Sequence, residues 1–109
     1  MTKRWLWLCL LTACTSSGAD STGITASSLT CPPDSTLTYA SFGQDFITAN
    51  CLSCHGSKAS PRLDTQAEIQ AARARILDQA VFTTAMPQDT DIDIAERQLL
   101  GEWLTCGAP

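Results

Sequence analysis

The chain has 109 residues, of which 44% are apolar, and a formal charge of −4 from seven basic and eleven acidic residues. This length allows one small domain, and the acidic balance argues against nucleic acid as a partner, because nucleic acids attract basic surfaces. A domain of this size buries too little apolar surface to be stable by a wide margin. The six cysteines are therefore expected to contribute a disulfide, a metal or a cofactor.

The N-terminal stretch has the pattern of an export signal. Lys3 and Arg4 precede a short apolar run at 5–11, and small residues follow it. The run is well below the roughly 20 apolar residues that a membrane-spanning helix needs. The sequence predicts a signal peptide at 1–13 that is removed, which leaves five basic residues against eleven acidic ones.

The end of this stretch reads Leu-Thr-Ala-Cys and resembles the lipobox of bacterial lipoproteins. The resemblance implies that Cys14 becomes the acylated first residue and anchors the protein on the extracytoplasmic side of a membrane, with the outer membrane favoured because Thr15 and not Asp follows it. An ordinary secretory signal is the alternative. Residues 14–30 are mostly Ser, Thr, Gly and Ala and predict a flexible tether, so that 31–109 forms the folded domain.

Cys51-Leu52-Ser53-Cys54-His55 matches C-x-x-C-H, the attachment pattern of c-type haem. Two thiols three positions apart can each form a thioether with a haem vinyl group, and the histidine can then bind the iron as proximal ligand. Two alternatives use the same residues. A thioredoxin-like thiol pair needs a preceding strand, and a zinc site needs one more cysteine. The predicted export favours haem, because c-type haem is attached outside the cytoplasm.

The stretch from Leu37 to Leu104 resembles the class I c-type cytochromes, in which a first helix leads into C-x-x-C-H and is crossed by the last helix. The residues that carry the resemblance before the motif are Tyr39, Phe42, Gly43, Phe46 and Ile47. Gly43 matches the family's small contact residue, and Ile47 stands where the family usually has an aromatic residue. The resemblance implies an all-α, cytochrome c-like fold with three to four helices around one covalent haem.

The second iron ligand is inferred by elimination. Without its signal the chain has one histidine and one methionine, so Met86 is the remaining candidate opposite His55. Met86-Pro87 also resembles the family's distal Met-Pro loop, although methionine is equally a common core filler. Pro61-Arg62-Leu63 resembles the family's Pro-x-Leu segment, which implies that Pro61 accepts the His55 Nδ1 proton and Leu63 packs on the haem. The alternative for Pro61 is an ordinary loop proline.

Two further helices are predicted from their capping residues. Thr65 and Glu68 form a capping box, and an apolar stripe follows at helical spacing, made by Ile69, Ala72, Ile76 and Ala80. Asp93 with Glu96 predicts a last helix from Ile94 to Leu104. Its face with Leu100 and Trp103 should cross the first helix near Gly43.

The cysteines left over after these assignments are Cys31 and Cys106, which are predicted to form a disulfide in an oxidising compartment, with two free thiols as the alternative. Three arginines could pair with a haem propionate or lie on solvated helix faces: Arg62, Arg73 and Arg75.

The combined prediction is a one-electron carrier with one haem c and no enzymatic activity of its own, because no nucleophile with a base, paired carboxylates or open metal site can be assembled. Its partners would be redox proteins of unknown identity, and it would act as a monomer or within a complex. Asp89, Asp91 and Asp93 could orient a basic partner or form a solvated loop and helix cap. The alternative functions are a haem-based ligand-binding or sensor module, and an electron-transfer subunit of a larger respiratory or dehydrogenase complex.

Overall fold

The computed structural model describes residues 20–88 and 90–109. The predicted signal peptide and Cys14 lie outside these residues. The described part contains five α-helices and no β-strand, which confirms the prediction of a helical fold. Five helices occur, against three to four predicted, because two of three helical segments are each interrupted at one residue, Cys51 (φ −126°, ψ −35°) and Ala72 (φ −94°, ψ 6°).

The first helical segment leads into the cysteine motif. It consists of a π-helical turn, Tyr39–Gly43, helix α1, Gln44–Asn50, and helix α2, Leu52–His55. It begins after Thr38, whose hydroxyl accepts a hydrogen bond from Ser41 N–H at 3.0 Å, while Ser41 Oγ accepts one from Thr38 N–H at 2.9 Å. Reciprocal capping of this kind satisfies N–H groups that the first turn leaves unpaired.

The second helical segment carries the predicted apolar stripe. It consists of helix α3, Gln66–Ala71, helix α4, Arg73–Ile76, and a π-helical turn, Leu77–Val81. Thr65 Oγ1 accepts a hydrogen bond from Glu68 N–H at 3.2 Å, and Glu68 Oε1 accepts one from Thr65 N–H at 3.0 Å, which confirms the predicted capping box. All four residues of the stripe are buried: Ile69, Ala72, Ile76 and Ala80.

The third segment is helix α5, Ile94–Thr105. Asp93 caps it as predicted, because its Oδ1 accepts a hydrogen bond from Glu96 N–H at 2.8 Å. Leu100 and Trp103 are fully buried on one face of the helix.

Helix α5 meets the first segment at a close approach between Gly43 and Trp103. A Cβ added at Gly43 would overlap the indole ring, so a larger residue could be accommodated there only if the helices moved apart. Phe42 packs edge-on against the same indole, with ring centroids 6.0 Å apart. The predicted crossing near Gly43 is therefore confirmed. A second close approach, not predicted, brings Gly101 against the side chains of Val81 and Leu29.

The segment before Cys31 differs from its prediction. Residues 20–30 were expected to belong to a flexible tether, but they pack along the end of the second helical segment. Thr22 N–H donates to the Phe82 carbonyl at 3.0 Å, and Thr84 N–H donates to the Asp20 carbonyl at 2.9 Å. Ile24 is buried. Burial of Ile24 and hydrogen bonds to carbonyls at the helix end hold this short stretch against the helices, although its composition is typical of linkers.

A disulfide joins Cys31 to Cys106, 75 positions apart in the chain. This confirms the predicted pairing. The chain beyond Cys106 folds back onto the helices, where the Ala108 carbonyl accepts hydrogen bonds from the side-chain amides of Gln66 and Gln70, both at 3.1 Å. Both ends of the described region are thus fastened to the helical core.

Candidate functional site

The three residues of the C-x-x-C-H motif lie on a single helical turn. Cys51 ends helix α1, and its carbonyl accepts hydrogen bonds from Cys54 N–H at 3.3 Å and His55 N–H at 2.9 Å. Cys51 and Cys54 both carry thiols. The turn therefore presents two thiols and an imidazole to the same region of space, which is what attachment of one haem through two thioethers requires.

The region they face is a cavity of about 710 Å³, within the range of small-molecule and cofactor sites. All three motif residues line it, and so does the segment that follows the second helical segment. The predicted site residues on its wall are Cys51, Cys54, His55, Pro61, Leu63 and Met86. The sequence therefore predicted residues from three separate stretches of chain that the fold brings together.

His55 is oriented by the backbone of the loop that follows it. Its Nδ1 lies 2.8 Å from the Pro61 carbonyl oxygen. A carbonyl can only accept, so Nδ1 must carry the proton, and the lone pair of the neutral ring is then on Nε2. Leu63 N–H in turn donates to the His55 carbonyl at 2.9 Å, and the Leu63 side chain is buried. The hydrogen bond implied by the resemblance is present, and it leaves the lone pair of Nε2 available.

Burial raises the pKa of the Cys51 thiol to about 11. The group is therefore a neutral thiol at physiological pH. Catalytic thiol pairs need the opposite, a lowered pKa that supplies thiolate. This environment, together with helices and no strand around the motif within residues 20–88 and 90–109, disfavours the thioredoxin-like interpretation.

The zinc interpretation lacks a fourth ligand in the described part of the chain. The cysteines of the described residues that lie outside the motif, Cys31 and Cys106, are joined in the disulfide. No group of three or more His, Cys, Asp or Glu side chains within residues 20–88 and 90–109 is arranged to hold a metal ion.

Met86 lies on the connection between the second helical segment and helix α5, and its backbone is held on both sides. Its N–H donates to the Gln79 carbonyl at 2.8 Å, and its carbonyl accepts from Arg97 Nη1 at 2.9 Å. The side chain is half-buried and lines the same cavity as His55. The structure brings the two predicted iron ligands to one cavity. Iron ligation by Met86 stays a prediction.

The three arginines considered for propionate binding have different surroundings. Arg75 lines the cavity. Arg73 is turned toward the end of helix α5, where its Nη1 donates to the Leu104 carbonyl at 3.4 Å. Arg62 is exposed. Lys58 lines the cavity together with Arg75, and the sequence did not single it out because an isolated lysine before a loop has no distinctive pattern.

Arg97 is the main residue that the sequence analysis missed. Its side chain is buried, with 1% exposed. It donates to backbone carbonyls within and beside residues 82–88, the Met86 segment. A signal was available, because Arg97 stands three and four positions before Leu100 and Gly101 and so lies on the buried face of the last helix.

The predicted acidic cluster is not a group of equivalent residues. Asp93 is the cap of helix α5, Asp91 is 98% exposed and lies 3.9 Å from Arg97 Nη2, and Asp89 lies outside the described residues.

Within the part of the chain that the structure describes, no helix is long and apolar enough to cross a membrane.

Comparison with known proteins found no match for this chain among protein-family models, curated proteins or solved structures.

Proposed function

We propose that this protein is a one-electron carrier with a single covalently attached c-type haem. Cys51 and Cys54 would form the thioethers, and His55 and Met86 would bind the iron. The observation that carries the proposal is that these four residues line one cavity of about 710 Å³. Three of them share a helical turn, and the Nδ1 of the imidazole is already paired. The donor set fits the group in number and in chemistry.

Bound haem would supply an iron that accepts and releases one electron at a time. The residues of the chain have separate tasks in this. Pro61 holds the His55 ring in the tautomer that offers Nε2 to the iron, and Leu63 covers the cavity wall beside it. A thioether ligand raises the reduction potential, because it is a weaker donor than imidazole to ferric iron.

Covalent attachment is tested by replacing the two thiols. The double variant Cys51→Ala/Cys54→Ala, produced together with the maturation machinery for c-type haem, should contain no haem that survives denaturing electrophoresis. The parent should retain its haem under the same conditions, and Ser53→Ala, between the two thiols, is the matched control and should also retain it. A parent protein without covalent haem contradicts the proposal.

Ligation by Met86 separates the electron carrier from a haem-based ligand-binding or sensor module, which needs an open sixth position. Met86→Ala should turn a low-spin spectrum into a high-spin one and lower the reduction potential markedly. Gln88→Ala is the control, because Gln88 lines the same cavity but is exposed. If the parent is already high-spin and Met86→Ala leaves both the spectrum and the potential unchanged, the ligand-binding module becomes the better proposal. An unchanged low-spin spectrum would mean that a residue other than Met86 is the second ligand.

The proposal includes an extracytoplasmic location with a lipid anchor on Cys14, supported by the lipobox resemblance at Leu11-Thr12-Ala13-Cys14. It also includes exchange of electrons with redox proteins, free or within a larger complex. The acidic balance of the chain favours partners with a basic docking surface.

A further inference from the structure

Arg97 is a buried arginine, and its ion pair with Asp91 is long. Its side chain is 1% exposed, and arginine is rarely buried to this extent unless its charge is paired or its donors are satisfied. The carboxylate near it belongs to Asp91, 3.9 Å away and 98% exposed. Because the Asp91 carboxylate is exposed to solvent, the attraction at this distance is strongly screened. The burial of Arg97 is therefore explained by its hydrogen bonds.

The guanidinium donates to carbonyls on both sides of the Met86 segment. Nη1 lies 2.6 Å from the Ala80 carbonyl oxygen, 2.9 Å from that of Met86 and 3.3 Å from that of Thr83. Nε lies 3.3 Å from the Ile92 carbonyl oxygen, just before helix α5. A single side chain therefore joins the end of the second helical segment, the Met86 segment and the start of the last helix.

We propose that Arg97 is a positioning residue that sets the location of Met86 at the cavity. The inference rests on the proposed function, because its consequence is a methionine sulfur held ready for iron. With Met86 N–H bonded to Gln79 and its carbonyl bonded to Arg97, both backbone polar groups of the residue are fixed. The remaining freedom of Met86 is then largely that of its side chain.

The proposal predicts that loss of the guanidinium opens the Met86 segment more often. An added ligand such as imidazole can bind the iron only when methionine has left it, so its apparent affinity rises with the open fraction. Removing hydrogen bonds from a charged donor should increase imidazole affinity of the ferric holoprotein roughly 10- to 100-fold in Arg97→Met. The imidazole affinity of Arg97→Lys should lie between those of the parent and Arg97→Met. An ammonium keeps the charge of the guanidinium but cannot reproduce its planar set of donors.

Leu104→Ala is the control for general destabilisation. Leu104 is also buried on helix α5 but lies against a separate groove away from the cavity. It should lower the stability of the holoprotein and leave imidazole affinity within about threefold of the parent. Equal increases in Arg97→Met and Leu104→Ala would overturn the proposal, because Arg97 would then contribute only to overall stability.

Amide hydrogen exchange of the same holoproteins gives a readout that does not depend on iron ligation. The Met86 amide donates to Gln79 and the Thr84 amide to Asp20, so both should be protected in the parent. Both should exchange at least tenfold faster in Arg97→Met and faster by a smaller factor in Arg97→Lys, with little change in helix α1. Unchanged amide exchange in Arg97→Lys overturns the proposal. This test remains decisive even if Arg97→Met does not fold. If the parent shows no sulfur–iron band, the proposal that Met86 binds the iron is wrong. Faster amide exchange in Arg97→Lys would still support the positioning role of Arg97.

Discussion

At the scale of single residues, the environment of each side chain decides what it can do. Cys51 lies where the first helix ends, and burial raises its pKa to about 11. His55, four positions on, has its Nδ1 committed to a carbonyl. The cavity wall thus contains a thiol that stays protonated at neutral pH. It also contains an imidazole whose Nδ1 carries the proton, so that the lone pair is on Nε2. Both features suit a site that receives a group and performs no thiolate chemistry.

The raised pKa of Cys51 predicts its reactivity before haem is attached. In the haem-free variant Cys54→Ala, where Cys51 is the reactive thiol of the motif, the alkylation rate of the folded protein should rise with an inflection at about pH 11. The same variant in denaturant should give an inflection near the ordinary value of 9.0. Alkylation is followed by mass spectrometry of the labelled peptide, and an inflection near 9 in the folded protein would contradict the assigned burial.

In the haem-free protein, where Cys51 is still a thiol, the raised pKa makes the stability depend on pH with a definite sign. Because the folded-state pKa lies above that of the unfolded chain, the unfolded chain loses its proton first as the pH rises. The stabilisation associated with the neutral thiol is therefore complete below about pH 9 and is lost as the pH rises toward about 11.

At the scale of elements, the tightest contact between helices lies between Gly43 and Trp103. Gly43 has room for no side chain against Trp103, and Phe42 closes the edge of the same ring. The approach sets where helix α5 lies relative to the segment that ends in the cysteine motif. The position of the cavity wall therefore depends on a glycine eight positions before Cys51.

Gly43→Ala should lower the free energy of unfolding by about 1–3 kcal/mol, because overpacking costs this much in a well-packed core, even though alanine is the better helix former by about 1 kcal/mol. Denaturant unfolding measures the effect. Gln44→Ala, at the exposed neighbouring position, should change stability by less than about 0.5 kcal/mol. A Gly43→Ala protein as stable as its parent would show that the crossing can widen without cost.

Elements were predictable from sequence where their determinants are local. Helices α3 and α5 are each capped by a pair of residues that lie within four positions of one another, Thr65 with Glu68 and Asp93 with Glu96. Both helices begin where these pairs predict. The burial of Arg97 could be inferred from its spacing to Leu100 and Gly101. Its partners could not, because they are backbone carbonyls 5 to 17 positions away, which no side-chain pattern reveals. Residues 20–30 were predicted as tether because composition does not show that Ile24 finds a buried place.

At the scale of the whole molecule, the disulfide encloses nearly all of the helical core. Cys31 and Cys106 are 75 positions apart, and a cross-link over so long a loop strongly restricts the unfolded chain. The additional segment at 20–30 packs against the end of the second helical segment. A small domain with limited apolar burial thus gains part of its stability from covalent and main-chain links.

The double variant Cys31→Ser/Cys106→Ser should lose about 4 kcal/mol of unfolding free energy in the chain-entropy model. Denaturant unfolding of the holoproteins measures the loss, and the parent in reductant should approach the variant. A loss below about 1 kcal/mol would mean that the loop is already restricted in the unfolded chain, for example by the attached haem.

The proposed anchor makes a prediction about location. Asp20 is already hydrogen-bonded to the domain, so an acylated Cys14 would hold the domain within about 20 Å of the membrane surface even with the intervening chain fully extended. The parent should stay with membranes until detergent is added, and Cys14→Ser should be released. Cys9→Ser, in the predicted signal, should behave as the parent. A parent protein that is soluble without detergent would contradict the lipid anchor.

Electron transfer by a haem c that cycles between two oxidation states can be measured by optical titration of the purified holoprotein against electrode potential. We expect a covalent haem c with low-spin spectra in both states, a band at the red end of the visible spectrum that marks sulfur bound to ferric iron, and a single reversible one-electron transition. A high-spin reduced protein that binds carbon monoxide readily, or a protein that acquires no haem, would show that the chain is not such a carrier.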